Sequence, residues 1–217
     1  MFSVKQFTFS PVQENTYVVY NEEDVACIID PGCYSQHERN QLKELIEKQH
    51  LRPKYLLNTH CHLDHVFGNK FIHETYKLNL HCHALEKKVL DFASRSGELW
   101  GLPFENYEGP ILFIEEKDRV EVGNDVFDIL FIPGHSPGSI CFYCKAQQFI
   151  IGGDVLFRES IGRTDLPGGD HETLLQGIRT KLFSLPDEVV IYPGHGPSTT
   201  IGHEKKFNPF LTSRTPG

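Results

Sequence analysis

The 217 residues are 39% apolar and 23% charged, the ordinary balance of a soluble globular chain long enough to bury a core without cross-links. A formal net charge of −8 argues against nucleic acid as the main partner, and no stretch approaches the roughly 20 consecutive apolar residues of a membrane span. Six cysteines, at 27, 33, 61, 82, 141 and 144, are too few and too scattered for a disulfide framework, so a reducing compartment is expected.

The N-terminal residues Met1 to Gln6 show no basic region followed by an apolar run, so no secretory signal is read and a cytoplasmic location is expected. Residues 4–9, 16–20 and 25–29 are β-branched or aromatic runs separated by turn-forming residues, which reads as a meander ending at Asp30-Pro31-Gly32. Residues 35–50 place Leu42, Leu45 and Ile46 at helical spacing, and Pro53 stops that helix before a strand at 55–57.

The stretch Thr59-His60-Cys61-His62-Leu63-Asp64-His65 follows, with three imidazoles and a carboxylate within six residues. In an extended segment residues two apart share a face, so His60 and His62 can converge on one cation while Cys61 points away. If the chain then turns helical, Asp64 and His65 fall in the first turn and reach a second position. These donors suit a borderline divalent ion such as zinc.

Beyond the motif, a helix is predicted over 67–76, a short strand over 78–83 and a helix over 84–92. His81-Cys82-His83 imitates the metal spacing without a carboxylate partner and is read as strand filler. Residues 93–117, which hold the single tryptophan Trp100, have no clean period and are expected as an insertion at the rim of the site. Strands follow at 119–122, 126–132, 140–143, 149–151 and 189–192, with a helix at 172–183 capped by Asp170. Cys141 and Cys144 form a CxxC, but along a strand they face opposite sides and are read as small core thiols.

Three of these strands run into Gly-rich turns that each present one more ligand: His135, Asp154 and His195. Strands lead each half and helices follow, which predicts two sheets packed face to face, helices outside, and a site at the shared strand ends.

The HxHxDH form of THCHLDH, followed in order by PGHSPGS, GGDVLF and YPGHGP, resembles the metallo-β-lactamase superfamily over nearly the whole chain. The resemblance implies an α/β (α+β) fold of one domain over 1–217, an αββα four-layer sandwich of two mixed β-sheets flanked by helices. It implies one ion held by His60, His62 and His135, a second held by Asp64, His65 and His195, and Asp154 bridging. Asp30 is read as an acceptor behind a metal-bound imidazole. Within the superfamily, the run Ser160 to Gly169 and the tail Ile201 to Phe210 look like short bacterial glyoxalase II-type hydrolases, also called hydroxyacylglutathione hydrolases. Long glyoxalases II add a C-terminal helical domain, which a sequence ending at residue 217 is expected to lack.

That likeness implies hydrolysis of a small anionic thioester by a hydroxide bridging two divalent ions, zinc foremost, with iron or manganese as alternatives. Asp64 and Asp154 take the catalytic places, and Arg163, Lys205 and Lys206 are candidate contacts to an anionic thiol carrier. No GxSxG elbow competes for the reaction. Two rivals share the fold: a persulfide dioxygenase with one iron held by positions matching His60, His135 and Asp154, and a lactonase or other ester hydrolase. Oligomeric state is not legible in the sequence.

Overall fold

Alternation of apolar residues along the strands gives each sheet two faces to bury, and helices cover only the outer ones. The computed structural model describes residues 1–212. The first sheet holds β1 (Ser3–Phe9), β2 (Glu14–Tyr20), β3 (Val25–Ile29), β4 (Arg52–Leu57), β5 (Leu80–Cys82) and β6 (Ile111–Phe113), side by side in that order. The first three form the predicted antiparallel meander, whereas β3 to β6 pair in parallel. Parallel neighbours need crossovers, here α1 (Gln36–Lys48), α2 (Leu63–Val66) with α3 (Asn69–Tyr76), and α4 (Lys87–Leu99).

The second sheet begins with β7 (Arg119–Val122), β8 (Asp125–Phe131), β9 (Ile140–Cys144) and β10 (Phe149–Gly153). A small hairpin of β11 (Leu156–Phe157) and β12 (Ser160–Ile161) follows, then α5 (His171–Gly177), β13 (Val190–Pro193), β14 (Thr199–Thr200) and α6 (Ile201–Phe207). Across this sheet the order is β14, β13, β10, β9, β8, β7, with β10 and β13 parallel.

Three apolar clusters define four layers. Tyr17, Val19, Cys27, Ile29 and Leu57 of the first sheet meet Val120, Phe127, Ile140, Phe142 and Ile151 of the second. On the outer face of the first sheet, Val18, Ala26, Ile28 and Leu56 pack against Leu42, Ile46, Ile72 and Leu90 of the helices. Cys141, Ile150 and Ile191 do the same against Leu174, Ile178 and Ile201. This is the expected αββα sandwich. Cys144 faces the core between the sheets and Cys141 the outer helices, as strand alternation requires, and all six cysteines are free.

Helix α1 carries a capping box in which Ser35 accepts from the Glu38 amide while Glu38 accepts from the Ser35 amide. Asp170 caps α5 as predicted. Two boundaries differ from expectation. The helix predicted over 67–76 starts at Asn69, because Phe67 and Gly68 form a turn, held by the Gly68 amide donating to Pro31 O at 2.7 Å, that separates it from α2. Helix α4 also continues to Leu99, into the stretch read as aperiodic, and β6 forms in the same stretch. The buried residues of α4 in that extension are Ala93 and Gly97, small residues that give a weak apolar signal. No described helix is long and apolar enough to cross a membrane.

Candidate metal centre

All the predicted ligands lie past strand ends on one edge of the sandwich. His60 and His62 follow β4. His62 is still extended (φ −63°, ψ 155°) where it caps α2, so Asp64 and His65 enter the helix's first turn as predicted. His135 follows β8, Asp154 follows β10 and His195 follows β13. Long-range bonds bring these turns together. The Ile140 amide donates to Thr59 O at 2.9 Å, tying the sheets at the site. Asn15 donates its side-chain amide to Pro193 O and Gly196 O, and Tyr17 donates to Pro193 O, which anchors the His195 turn to β2. Gly194 has no room for a side chain: a Cβ would sit 2.1 Å from Asp154 Oδ1.

The donors form two trios with a carboxylate between them. His135 Nε2 lies 2.9 Å from His62 Nδ1 and 3.1 Å from His60 Nε2. His195 Nε2 lies 3.1 Å from Asp64 Oδ2, and His65 Nε2 is 3.8 Å from the same oxygen. Asp154 faces both trios, with Oδ1 3.4 Å from His65 Nε2 and Oδ2 3.5 Å from His135 Nε2 and 3.7 Å from His195 Nε2. Every metal ligand expected from the sequence is in this cluster.

Buried polar atoms normally find partners. Here His65 Nε2 and Asp154 Oδ1 are buried and have none among the described residues. Burial and neighbouring imidazoles hold His60 well below its ordinary pKa, and burial brings His62 down to about 4 and lowers His135. Those three rings are therefore disposed to be neutral at pH 7, each with a lone pair available to a cation. Burial also pulls on His65, but Asp154 and Asp64 outweigh it and push its pKa well up. His195 rises too, burial again being outweighed, chiefly by Asp64. Burial opposes ionisation of Asp154, yet His65, His135 and His195 hold it below the usual carboxylate range. Lone pairs converging on one point, with orphaned donors beside them, fit a divalent metal.

Behind the ligands stands a layer of acceptors. Asp30 accepts from the Thr59 amide (2.7 Å), the Thr59 hydroxyl (2.6 Å) and Asn58 Nδ2 (3.1 Å), and its Oδ2 lies 3.1 Å from His65 Nδ1. That is the place expected for it. Two buried carboxylates there were not foreseen. Glu14 Oε1 lies 3.9 Å from His65 Nδ1, and Glu86 bonds the loops of His60, His62 and His135. Local sequence does not reveal either role: Glu14 bonds the nearby Thr16 hydroxyl, but His65 and all three partners of Glu86 are distant in the chain.

A cavity of about 420 Å³ opens over the ligands, walled by Leu63, Trp100, Phe157, Ile161 and Leu166 and reached by Arg163. Trp100 thus stands at the site, as expected of the rim segment. The Arg163 guanidinium is bidentate with Asp165 at 2.7 and 2.8 Å, and the Arg163 carbonyl lies 2.8 Å from His135 Nδ1. Lys205 and Lys206 do not fit the substrate role expected of them. Lys205 donates to Asp187 at 2.7 Å and to Leu185 O, and neither lysine lines the cavity. Both sit on α6, which packs its buried face against the second sheet. His81, read as filler, has Nδ1 near the Leu56 and Asn79 carbonyls and no place in either trio.

Comparison with known proteins agrees with this geometry. The family model described as the metallo-beta-lactamase superfamily matches residues 9–195. The chain is 40% identical over 206 residues to the hydroxyacylglutathione hydrolase GloC of Haemophilus influenzae, covering 94% of this chain and 95% of that one. The crystal structure of BLEG-1 B3 metallo-beta-lactamase superposes with a TM-score of 0.88 at 36% identity, covering 98% of this chain and all of that one. TTHA1623 in a di-iron-bound form gives 0.87 at 38% identity, covering 96% and 100%. With its ligand order, four-layer fold and convergent donors, the chain belongs to the metallo-beta-lactamase superfamily and is a metal-dependent hydrolase.

Proposed function

We propose that this hydrolase cleaves thioesters in the manner of glyoxalase II, with two divalent ions, zinc foremost and iron or manganese as alternatives. The observation that carries the reading is the position of Asp154, whose two oxygens face separate three-donor groups on the floor of a largely apolar cavity. His60, His62 and His135 would hold one ion, Asp64, His65 and His195 the other, and Asp154 both. Ions bound there supply positive charge that polarises an acyl oxygen and lowers the pKa of water from about 15.7 toward 7.

The protein's own part is to bind and orient. Leu63, Phe157, Ile161 and Leu166 keep bulk water from the acyl group, which strengthens every charge interaction in the cavity. Arg163 offers a planar fork that takes a carboxylate bidentately, as it takes Asp165 in this structure, and so suits an anionic carrier. A thiolate leaves with little help from a protein acid, so the absence of a dedicated acid from this reading is no obstacle. Resemblance to a named hydroxyacylglutathione hydrolase supports the thioester, and the di-iron form of TTHA1623 supports iron as an alternative. Six free, buried cysteines suit a reducing compartment such as the cytoplasm.

The test is one panel: metal content of the purified protein, then turnover of S-lactoylglutathione, thioesters of other thiols and nitrocefin, with oxygen uptake measured on glutathione persulfide. Thioester turnover that rises with metal loading toward two ions per chain is expected. Sulfite formation by a protein with one iron and no thioesterase activity would overturn the reading in favour of a persulfide dioxygenase.

A further inference from the structure

Glu86 offers no donor to either trio, yet its carboxylate joins the two loops that supply the three-histidine one. It lies immediately before α4 and is fully buried. Oε2 accepts from the Cys61 amide at 2.7 Å, and Oε1 accepts from the Ser136 hydroxyl and the Gly138 amide, both at 2.6 Å. Cys61 is the residue between His60 and His62, and Ser136 is the residue after His135. One carboxylate from a third segment therefore fixes the separation of two loops whose imidazole nitrogens approach within 2.9 and 3.1 Å.

The loop is shaped around this carboxylate. A Cβ on Gly138 would lie 2.8 Å from Glu86 Cγ and 2.9 Å from Oε1, so only glycine lets the 136–138 turn close on it. A hydrophobic side chain could fill the space, but it would leave two buried amides and a hydroxyl unpaired, each costing about 1–3 kcal/mol. No Lys, Arg or His pairs with Glu86 among the described ion pairs.

We infer that Glu86 is the positioning residue for the His60–His62–His135 subsite, setting the affinity of that ion and not of the ion at Asp64, His65 and His195. This rests on the metal-centre reading but not on the identity of the substrate. The distinction follows from connectivity: the Asp64 trio has its own support in Asp30 and in the β2 contacts to the His195 turn.

The experiment is zinc titration of the metal-depleted full chain against a chromophoric chelator, resolving the two affinities, with the metal-free melting temperature recorded for each variant. His62→Ala and His195→Ala mark which affinity belongs to which subsite. Glu86→Gln keeps the size but orphans one amide whichever way its own amide turns. It is expected to weaken the ion that His62→Ala weakens by about 10–100-fold and to leave the other within about twofold. Glu86→Asp, which keeps the charge with a shorter reach, should recover part of the loss. Ser136→Ala removes one of the three donors and should weaken the same ion less. Combined with Glu86→Gln it should cost less than the product of the two effects. If Glu86→Gln does not fold, Ser136→Ala decides by the same comparison. Unchanged affinities with a lowered melting temperature, equal loss of both ions, or loss confined to the ion that His195→Ala weakens would each overturn the inference. A wild-type protein that binds two ions but turns over no thioester overturns only the substrate reading; one that takes up no ion overturns both.

Discussion

Replacing Asp30 by Asn changes no metal donor and almost no volume, so its effect isolates what the buried charge does for His65. Oδ1 accepts from both the Thr59 amide and Asn58 Nδ2, and the single oxygen left by Asp30→Asn must stay with those two donors. The new amide group then occupies the place of Oδ2, 3.1 Å from His65 Nδ1. The Thr59 hydroxyl can rotate and accept from it. His65 has no such freedom. Facing a donor, Nδ1 must present its lone pair, which confines the ring's proton to Nε2, the nitrogen that points at Asp154 and Asp64, and costs the ring the second proton that the Asp30 carboxylate favours. A metal at that trio must displace the Nε2 proton from a ring that has lost its negative partner. Losses from such outer acceptors run to about 10–100-fold in affinity, or about 1.4–2.8 kcal/mol. Competitive zinc titration of Asp30→Asn should therefore show the ion assigned to Asp64, His65 and His195 weakened by that factor, with kcat/KM falling alongside. Wild-type affinity for both ions in a folded Asp30→Asn protein would refute the argument that Asp30 orients His65.

Asp154→Asn removes the carboxylate shared by the two trios. Metal analysis should find fewer than two ions per chain, and hydrolysis should fall by at least about 100-fold; a full rate with two ions would remove Asp154 from the mechanism. Acidification should strip the two ions unequally. His62 is held down to about 4 and His60 and His135 are lowered, so protons compete weakly there, whereas the raised His65 and His195 hold protons to higher pH and set them against a metal. As pH falls, metal analysis after equilibrium dialysis should therefore show loss first from the Asp64 trio, and loss first from the three-histidine trio would contradict the assigned protonation states. For Arg163→Ala, KM for S-lactoylglutathione should rise about 5–10-fold with kcat little changed, and a thioester lacking carboxylates should be nearly unaffected. Equal effects on both substrates would mean that Arg163 does not recognise a carboxylate.

The candidate metal ligands were legible because each carries its own local signal. His60, His62, Asp64 and His65 are crowded into one motif, and His135, Asp154 and His195 each stand on a Gly-rich turn at the end of an apolar run. Strand alternation likewise showed that Cys141 and Cys144 would face opposite sides of β9. These features depend on neighbours within a few residues, and that is the range over which helical and strand periodicity act.

What surrounds the ligands depends on partners far along the chain. Lys205 looks like a free cation in sequence, but Asp187 and the Leu185 carbonyl claim it. Glu86, beside Lys87 and Lys88, carries no local mark of burial, yet its bonds to residues 61, 136 and 138 bury it completely. Helix α4 reaches Leu99 although the last residues it buries, Ala93 and Gly97, are small, because tertiary packing, of Ala93 in the cluster under the first sheet and of Gly97 against Leu102 and Phe104, adds what the local pattern lacks. The sequence by itself determined which atoms can bind metal and which layers must form; only the tertiary structure decided which carboxylates hold those atoms in place, since a hydrogen bond across the fold leaves no periodic trace in the chain.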